Sequence, residues 1–327
     1  MTERIKTKKL QEYERSITYI KFRKDGERFF TASWIPKILE WDFETGQVLQ
    51  EFNDRGRINE FDLTKNHKYL ITVSAVRNCT LWNTFKGEQV NQIKFDDIPI
   101  SVKFSYGEKL FMVATRSIHR KASKIHIFKF DPTIGVLPQD SLKVIEVPEK
   151  KRPTSVRWGN LNKTIIGGCV DGYIRVWKVS NGELVKEKCV HEDIITSISF
   201  SADHTHFITA SADCTAKIID EKTLDILKVY ESDRSLNTAE ICPRGNLVVC
   251  AGGQRSEQVA QSADEGKFTI LYFDKIQGEL IGSTQTHYSS VHSIAFHPTE
   301  NSFISGCHQG DISIHYLDNE LIQNSLL

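Results

Sequence analysis

Short apolar runs that alternate with polar residues dominate this chain, and no long stretch keeps the 3.6-residue period of an amphipathic helix. RFFTAS, YLITVS, LFMVAT, HFITAS, LVVCAG and SFISG are examples. Turn-forming residues separate the runs, among them Asp25-Gly26, Gly46, Gly87, Gly182 and Gly278. The pattern predicts short strands joined by tight turns.

The strands recur in register. A small or polar residue, an apolar one, any residue and a large apolar one form a motif ending at Phe22, Leu63, Phe104, Trp158, Phe200, Ile241 and Phe296. Successive anchors lie 41, 41, 54, 42, 41 and 55 residues apart. Nineteen residues after the anchor stand Trp41, Trp82, Trp177, Ile219 and His315. Phe128 and Tyr272 hold the matching place in repeats 3 and 6, at offsets of 24 and 31. A third column, eleven residues after the anchor, is small throughout: Ser33, Ser74, Thr115, Cys169, Ser211, Gly252 and Cys307. A period of about 40–45 residues is that of a four-stranded propeller blade. One blade cannot bury both faces of its sheet, whereas seven stacked around an axis can. The reading is therefore an all-β, seven-bladed β-propeller with four antiparallel strands, a to d, per blade, in a single domain over residues 1–327. It replaces the two domains that 327 residues alone would suggest.

Blade 7 needs an outer strand from elsewhere. Residues 5–12 (IKTKKLQE) and 320–327 (ELIQNSLL) are the candidates. Lys6, Lys8 and Lys9 suit an exposed sheet edge and favour the first.

Composition then narrows the partners. Lys+Arg and Asp+Glu both number 42, so the net charge is zero and binding to a polyanion by bulk charge is excluded, though a local patch is not. No apolar run approaches 18 residues, and the N-terminus has no apolar core of a signal peptide, so no membrane partner is expected. Seven cysteines, odd in number and without a C-x-x-C pair, suit a reducing compartment.

Catalytic signatures are missing. There is no phosphate-binding glycine loop, dinucleotide fingerprint, H-E-x-x-H or G-x-S-x-G. His204 and His206 lie beside Asp203 without a cysteine or carboxylate cluster at zinc spacing. The expectation is a non-enzyme with no cofactor, no metal and no small-molecule substrate.

Strand parity places the loops. The b–c and d–a loops share one face, and the a–b and c–d turns share the other. The reading puts the excess of repeats 3 and 6 in b–c loops, at about 116–124 and 253–266, on one face. The PEKKRP segment (148–153) lies on that face too. Arg116, Arg120, Lys121, Lys124, Lys150, Lys151 and Arg152 would then make a basic patch for RNA phosphates or an acidic protein, or simply a solvated loop surface.

The columns resemble those of the WD-repeat family. Its dipeptide stands literally at Trp41-Asp42 and in part at Trp82-Asn83, Trp177-Lys178 and Ile219-Asp220. The family's buried His–Ser/Thr–Asp–Trp tetrad is matched in part by His191, Ser211 and Asp213 in repeat 5. Asp171 and Trp177 match in repeat 4, and His287 in repeat 7. Repeats 5 to 7 carry a closer likeness. Leu236-Asn237-Thr238, Gly252-Gly253-Gln254 and Glu265-Gly266-Lys267-Phe268 resemble the family of i subunits of eukaryotic translation initiation factor 3. The resemblance implies a cytoplasmic, non-catalytic scaffold that binds the b and g subunits. Through them it would reach the 40S ribosomal subunit and support recruitment of mRNA and initiator tRNA and scanning. It also implies that a helix of the b subunit docks on Asp203, Ile218 and Asp220, two acids and an apolar anchor. The alternative is a WD-repeat adaptor of a signalling or RNA-processing complex.

Overall fold

In a computed structural model, the structure describes residues 5–119, 121–253 and 268–318. These residues form seven four-stranded antiparallel sheets, with two single-turn 3-10 helices at Glu149–Lys151 and Asn160–Asn162. Blade 1 runs Ile17–Phe22, Arg28–Ser33, Lys37–Asp42 and Val48–Asn53. Blade 5 runs Ile195–Phe200, His206–Ser211, Thr215–Asp220 and Ile226–Glu231. The innermost strands touch in sequence order, and the last touches the first, which closes the ring. The architecture is the seven-bladed propeller that the repeat spacing predicts.

Blade 7 takes three strands from the C-terminal part of the chain, Val291–Phe296, Ser302–Cys307 and Ile312–Leu317. Its fourth, β1 (Ile5–Leu10), comes from the other end and pairs antiparallel with Ile312–Leu317, Ile5 opposite Leu317 and Leu10 opposite Ile312. Lys6, Lys8 and Lys9 lie along this outer edge. Residues 320–327 lie outside the described residues.

Apolar side chains pack between blades rather than in one central core. Phe30, Ile38 and Phe52 of blade 1 meet Phe61, Leu70 and Trp82 of blade 2. Ile208, Ala216 and Tyr230 of blade 5 meet Leu236, Val248 and Leu271 of blade 6. This explains the spacing, because each anchor column fills the seam with the neighbouring blade. In blade 6 the strand-c column falls on Phe273 rather than Tyr272: Phe273 stands opposite Val248, which pairs with the anchor Ile241, while Tyr272 turns to the seam with blade 7. In all seven blades strand a also shifts register by one residue, as between Ile58 and Glu60 or Ile195 and Ser197. Several of the extra residues reach the next blade. Asn59 Nδ2 donates to Pro99 O at 2.7 Å, Thr196 Oγ1 to Leu236 O at 2.8 Å and Asn237 Nδ2 to Val291 O at 2.9 Å.

The excess of repeat 3 departs in part from the sequence reading, since only its smaller share lies between strands b and c. Its b–c loop is only residues 117–122, between Leu110–Arg116 and Ser123–Lys129. The longer piece is the c–d segment 130–142, which lies on the opposite face. Column spacing stops at strand c and does not register a lengthened c–d turn. That segment is held by blade 2, where Asn91 Nδ2 donates to Leu137 O at 3.0 Å and Leu137 N donates to Asn91 Oδ1 at 3.2 Å. The excess of repeat 6 does fall between strands b and c, Leu247–Gly252 and Ile270–Asp274; residues 254–267 lie outside the described residues.

Gly172 shows how tightly successive blades are joined. Its φ is +77°, and a Cβ there would overlap the main-chain carbonyl of His191. That carbonyl region is fixed, because Val190 N and His191 N both donate to Gly172 O, at 3.1 and 3.0 Å. Gly172→Ala is expected to lower unfolding stability by about 2 kcal/mol, from left-handed strain and overpacking. Urea unfolding would show it, and a midpoint equal to wild type would refute it.

Candidate docking surfaces and the charged channel

The tetrad positions of blade 5 are tied by hydrogen bonds, with one change of residue. In blade 5, His191 Nδ1 meets Asp213 Oδ2 at 2.8 Å, and Nε2 meets Thr209 Oγ1 at 2.8 Å. The strand-b hydroxyl is therefore Thr209 rather than Ser211, whose Oγ instead donates to Asp193 O at 3.2 Å. The column two residues earlier carries the same link elsewhere. Trp41 Nε1 donates to Thr31 Oγ1 at 2.8 Å, which Tyr13 also contacts, and Trp82 Nε1 donates to Thr72 Oγ1 at 3.1 Å. In blade 4 Asp171 pairs with Arg175, at 2.6 Å, instead of a histidine.

Asp203 and Asp220 share the a–b/c–d face of blade 5. Asp203 lies in the a–b turn with its side chain 61% exposed. Asp220 ends strand c opposite His206, which stands 3.9 Å from Asp203. Hydrogen bonds from the Ser201 hydroxyl and from Thr205 hold Asp203 well below the usual carboxylate range. The Thr223 amide lowers Asp220 from its ordinary value as well. Both are therefore anionic at neutral pH and rigidly presented.

Ile218 does not join them at the surface. It is 4% exposed and packs with Tyr230 and Leu236 in the seam to blade 6. Strand alternation puts it on the same side as Asp220, but the neighbouring blade covers that position. Exposed apolar surface lies elsewhere on this face. Leu161, 71% exposed in the blade 4 a–b turn, adjoins Val176 and Val185 in a groove rimmed by Glu221 and Lys222. Asn160 N donates to Glu221 Oε1 at 3.0 Å and fixes that rim to the Asp220 turn. Tyr106 Oη contacts His204 Nδ1 at 2.9 Å, beside Asp203. Leu161 escaped sequence reading because it lies in a turn, outside every column, with a φ of 52°.

On the opposite face, the two basic segments do come together. Ser123 pairs in register with Val147, and its Oγ donates to Glu149 Oε2 at 3.0 Å. Acids are interleaved with the cations. Arg152 bonds Glu149 at 3.0 Å, Lys151 lies 3.5 Å from Glu187, and Lys124 is paired opposite Glu146. Arg116, Lys121 and Lys150 are exposed and in no ion pair among the described residues. Arg120 lies outside the described residues.

The channel holds charge that the columns hid. A cavity of about 460 Å³ opens on the axis, lined by the inner strands. The residues just before the anchors are Lys21, Asp62, Lys103, Arg157, Ser199, Glu240 and Ala295. Lys21 pairs with Asp62, and Asp62 Oδ2 accepts from Phe104 N at 2.8 Å. Glu60 Oε1 accepts from Lys103 Nζ at 2.9 Å and from Arg157 at 3.3 Å, so it bridges blade 3 to blade 4. Lys103 Nζ also reaches Tyr19 Oη of blade 1 at 2.9 Å. Ser199 Oγ donates to Glu240 Oε2 at 2.6 Å. Burial pushes Glu60 up, but Lys103 and Arg157 outweigh it and hold the carboxyl below its ordinary range. For Glu240 burial wins over Ser199 and Arg157, and the carboxyl is pushed up to about 7. The signal was the period of two: if the anchor faces the blade seam, the residue before it faces the axis.

Against this geometry the family can be settled. The sequence profile described as EIF3I matches residues 5–326. The chain belongs to the EIF3I family. Relatives agree along the whole length. The Dictyostelium discoideum protein named eukaryotic translation initiation factor 3 subunit I is 31% identical over 315 residues, 96% of this chain and 95% of its own. The Homo sapiens protein of that name is 30% identical over 317 residues, 96% of this chain and 97% of its own. Among solved structures, the β-propeller domain of Myceliophteria thermophila Cps50 (Swd1) superposes with a TM-score of 0.78. The match covers 95% of this chain and 98% of that one at 12% identity, which shows shared fold alone. The WD-repeat likeness thus resolves to EIF3I, with a propeller whose tetrads are only partly kept.

Proposed function

We propose that this EIF3I protein is a non-catalytic scaffold subunit of eukaryotic translation initiation factor 3 in the cytoplasm. It holds the b and g subunits on a rigid ring and through them supports 40S recruitment of mRNA and initiator tRNA, and scanning. Membership of the EIF3I family carries the assignment to that factor. The fixed acidic pair Asp203 and Asp220 carries the choice of docking face. Two ionised, turn-locked carboxylates suit the basic residues of a helix from the b subunit. Leu161 and the adjoining groove offer the apolar contact that buried Ile218 does not. The interleaved acids on the opposite face support a solvated loop surface there more than a phosphate site.

The reading is tested with Asp203→Lys and Asp220→Lys together, in the full chain. Retention of the b subunit on immobilised protein is expected to fall at least tenfold, roughly the 1.4 kcal/mol that two lost charge contacts supply at minimum. The circular dichroism should stay that of wild type, because both side chains are outside the seams. Undiminished retention would move the docking site elsewhere.

A further inference from the structure

The tetrad of blade 7 is broken in a way that creates a metal-ligand set. His287 and His315 share Ser305. His287 Nε2 lies 2.7 Å from Ser305 Oγ, and His315 Nε2 lies 2.8 Å from it. In blade 5 the other ring nitrogen of the corresponding His191 meets Asp213, two residues after the small b column. In blade 7 that position is Gln309, and the acid comes two residues later, as Asp311. His287 Nδ1 is consequently buried and has no hydrogen-bond partner, in a side chain that is fully buried. Such a group is costly unless something binds it.

Beside this ring stand a thiol and a carboxylate. A nitrogen of His287, the Cys307 Sγ and an oxygen of Asp311 all lie within 4.8 Å of one another. Cys307 Sγ and Asp311 Oδ2 are 3.9 Å apart. Ligand atoms around a tetrahedral zinc ion are separated by about 3.6 Å, given bonds of about 2.0–2.3 Å. The turn is already set. Cys307 N donates to Asp311 O at 3.1 Å and Gly310 N to Cys307 O at 3.2 Å. A Cβ on Gly310 would overlap the Tyr13 carbonyl, so neighbouring backbone clamps the loop. Asp311 makes no ion pair among the described residues and is partly exposed, so solvent reaches the carboxylate and could supply an ion and a further ligand.

We propose that His287, Cys307 and Asp311 form a site for a borderline-soft divalent cation of the Zn2+ type. One soft sulfur, one imidazole and one carboxylate oxygen select zinc over magnesium or calcium. In the tautomer that ligation requires, His287 Nε2–H donates to Ser305 and the Nδ1 lone pair is left for the ion, and a ligating histidine is commonly oriented by such a bond. Binding displaces the Cys307 thiol proton to solvent. The ion would join the d–a loop entering blade 7 to its b–c turn, where the blade borrows β1. Lys9 of β1 is the opposing cation nearby, but its Nζ sits over the Tyr288 ring at 5.3 Å.

The probe is Co2+, titrated into the reduced, metal-free full chain. One equivalent is expected to bind with thiolate-to-cobalt absorption, and Zn2+ should displace it. Cys307→Ser is expected to abolish that absorption, and Asp311→Asn to weaken binding at least tenfold. Failure to bind Co2+ would overturn the site, as would absorption that survives Cys307→Ser and so belongs to another cysteine. A measurement without variants stands beside these. Zn2+ should raise the wild-type melting midpoint and Mg2+ should not; no rise at saturating Zn2+ would also overturn it.

Discussion

Glu60→Gln is expected to destabilise the ring by about 3–5 kcal/mol, the cost of removing one member of a buried charge cluster. The substitution keeps the shape of the side chain and removes only its charge. Lys103 and Arg157, both within 3.3 Å of Glu60 Oε1, would then face each other across a neutral amide. Asp62 remains close to Lys103 but is already engaged by Lys21. The loss has a defined pH window. The native carboxyl of Glu60 is held below its ordinary value, so its contribution is present above the unfolded pKa and fades as pH falls through the native one. Denaturant unfolding at neutral pH measures the effect. A change under about 1 kcal/mol would mean that solvent in the channel screens these charges.

Glu240→Gln should act in the opposite direction. Its carboxyl is pushed up to about 7 from an ordinary 4.5. The folded state then holds a proton that the unfolded state releases, so stability falls as pH rises from 4.5 towards 7 and levels off above. The penalty at pH 8 is on the order of 3 kcal/mol, at 1.36 kcal/mol per pKa unit. Glutamine never ionises, and its amide oxygen can still accept the Ser199 hydroxyl. The variant is therefore expected to be more stable than wild type at pH 8 and equal to it at pH 4. A stability difference that does not change with pH would show that Glu240 is ionised in the fold.

The ring itself was legible because one requirement is repeated seven times. Every seam needs an anchor with a small b residue eleven positions on, and five of the seven set a strand-c residue nineteen positions on; Phe22, Ser33 and Trp41 are one instance. The EIF3I likeness was legible in runs such as Leu236-Asn237-Thr238, where Asn237 bridges to blade 7. What escaped depends on one residue or one turn. Thr209 was mistaken for Ser211, since both are hydroxyl residues on strand b and only hydrogen-bond geometry separates them. Ile218 has the right chemistry for a surface anchor, but a neighbouring blade covers it. Glu60, Lys103 and Arg157 lie 43 and 54 residues apart, and only the stacking of blades 2, 3 and 4 around the axis brings them together. The turn of 130–142 is shaped by Asn91 of another blade.

Pairing of β1 with Ile312–Leu317 imposes an order in time. During synthesis the first strand leaves the ribosome about 300 residues before its partner, a delay of roughly 15–60 s at translation rates of about 5–20 residues per second. Blades 1 to 6 hold all their own strands and can form as they emerge, whereas blade 7 must wait for both Ile5–Leu10 and Ile312–Leu317. Lys6, Lys8 and Lys9 then guard a strand that spends that interval without its partner, when a neighbouring nascent chain could pair with it instead.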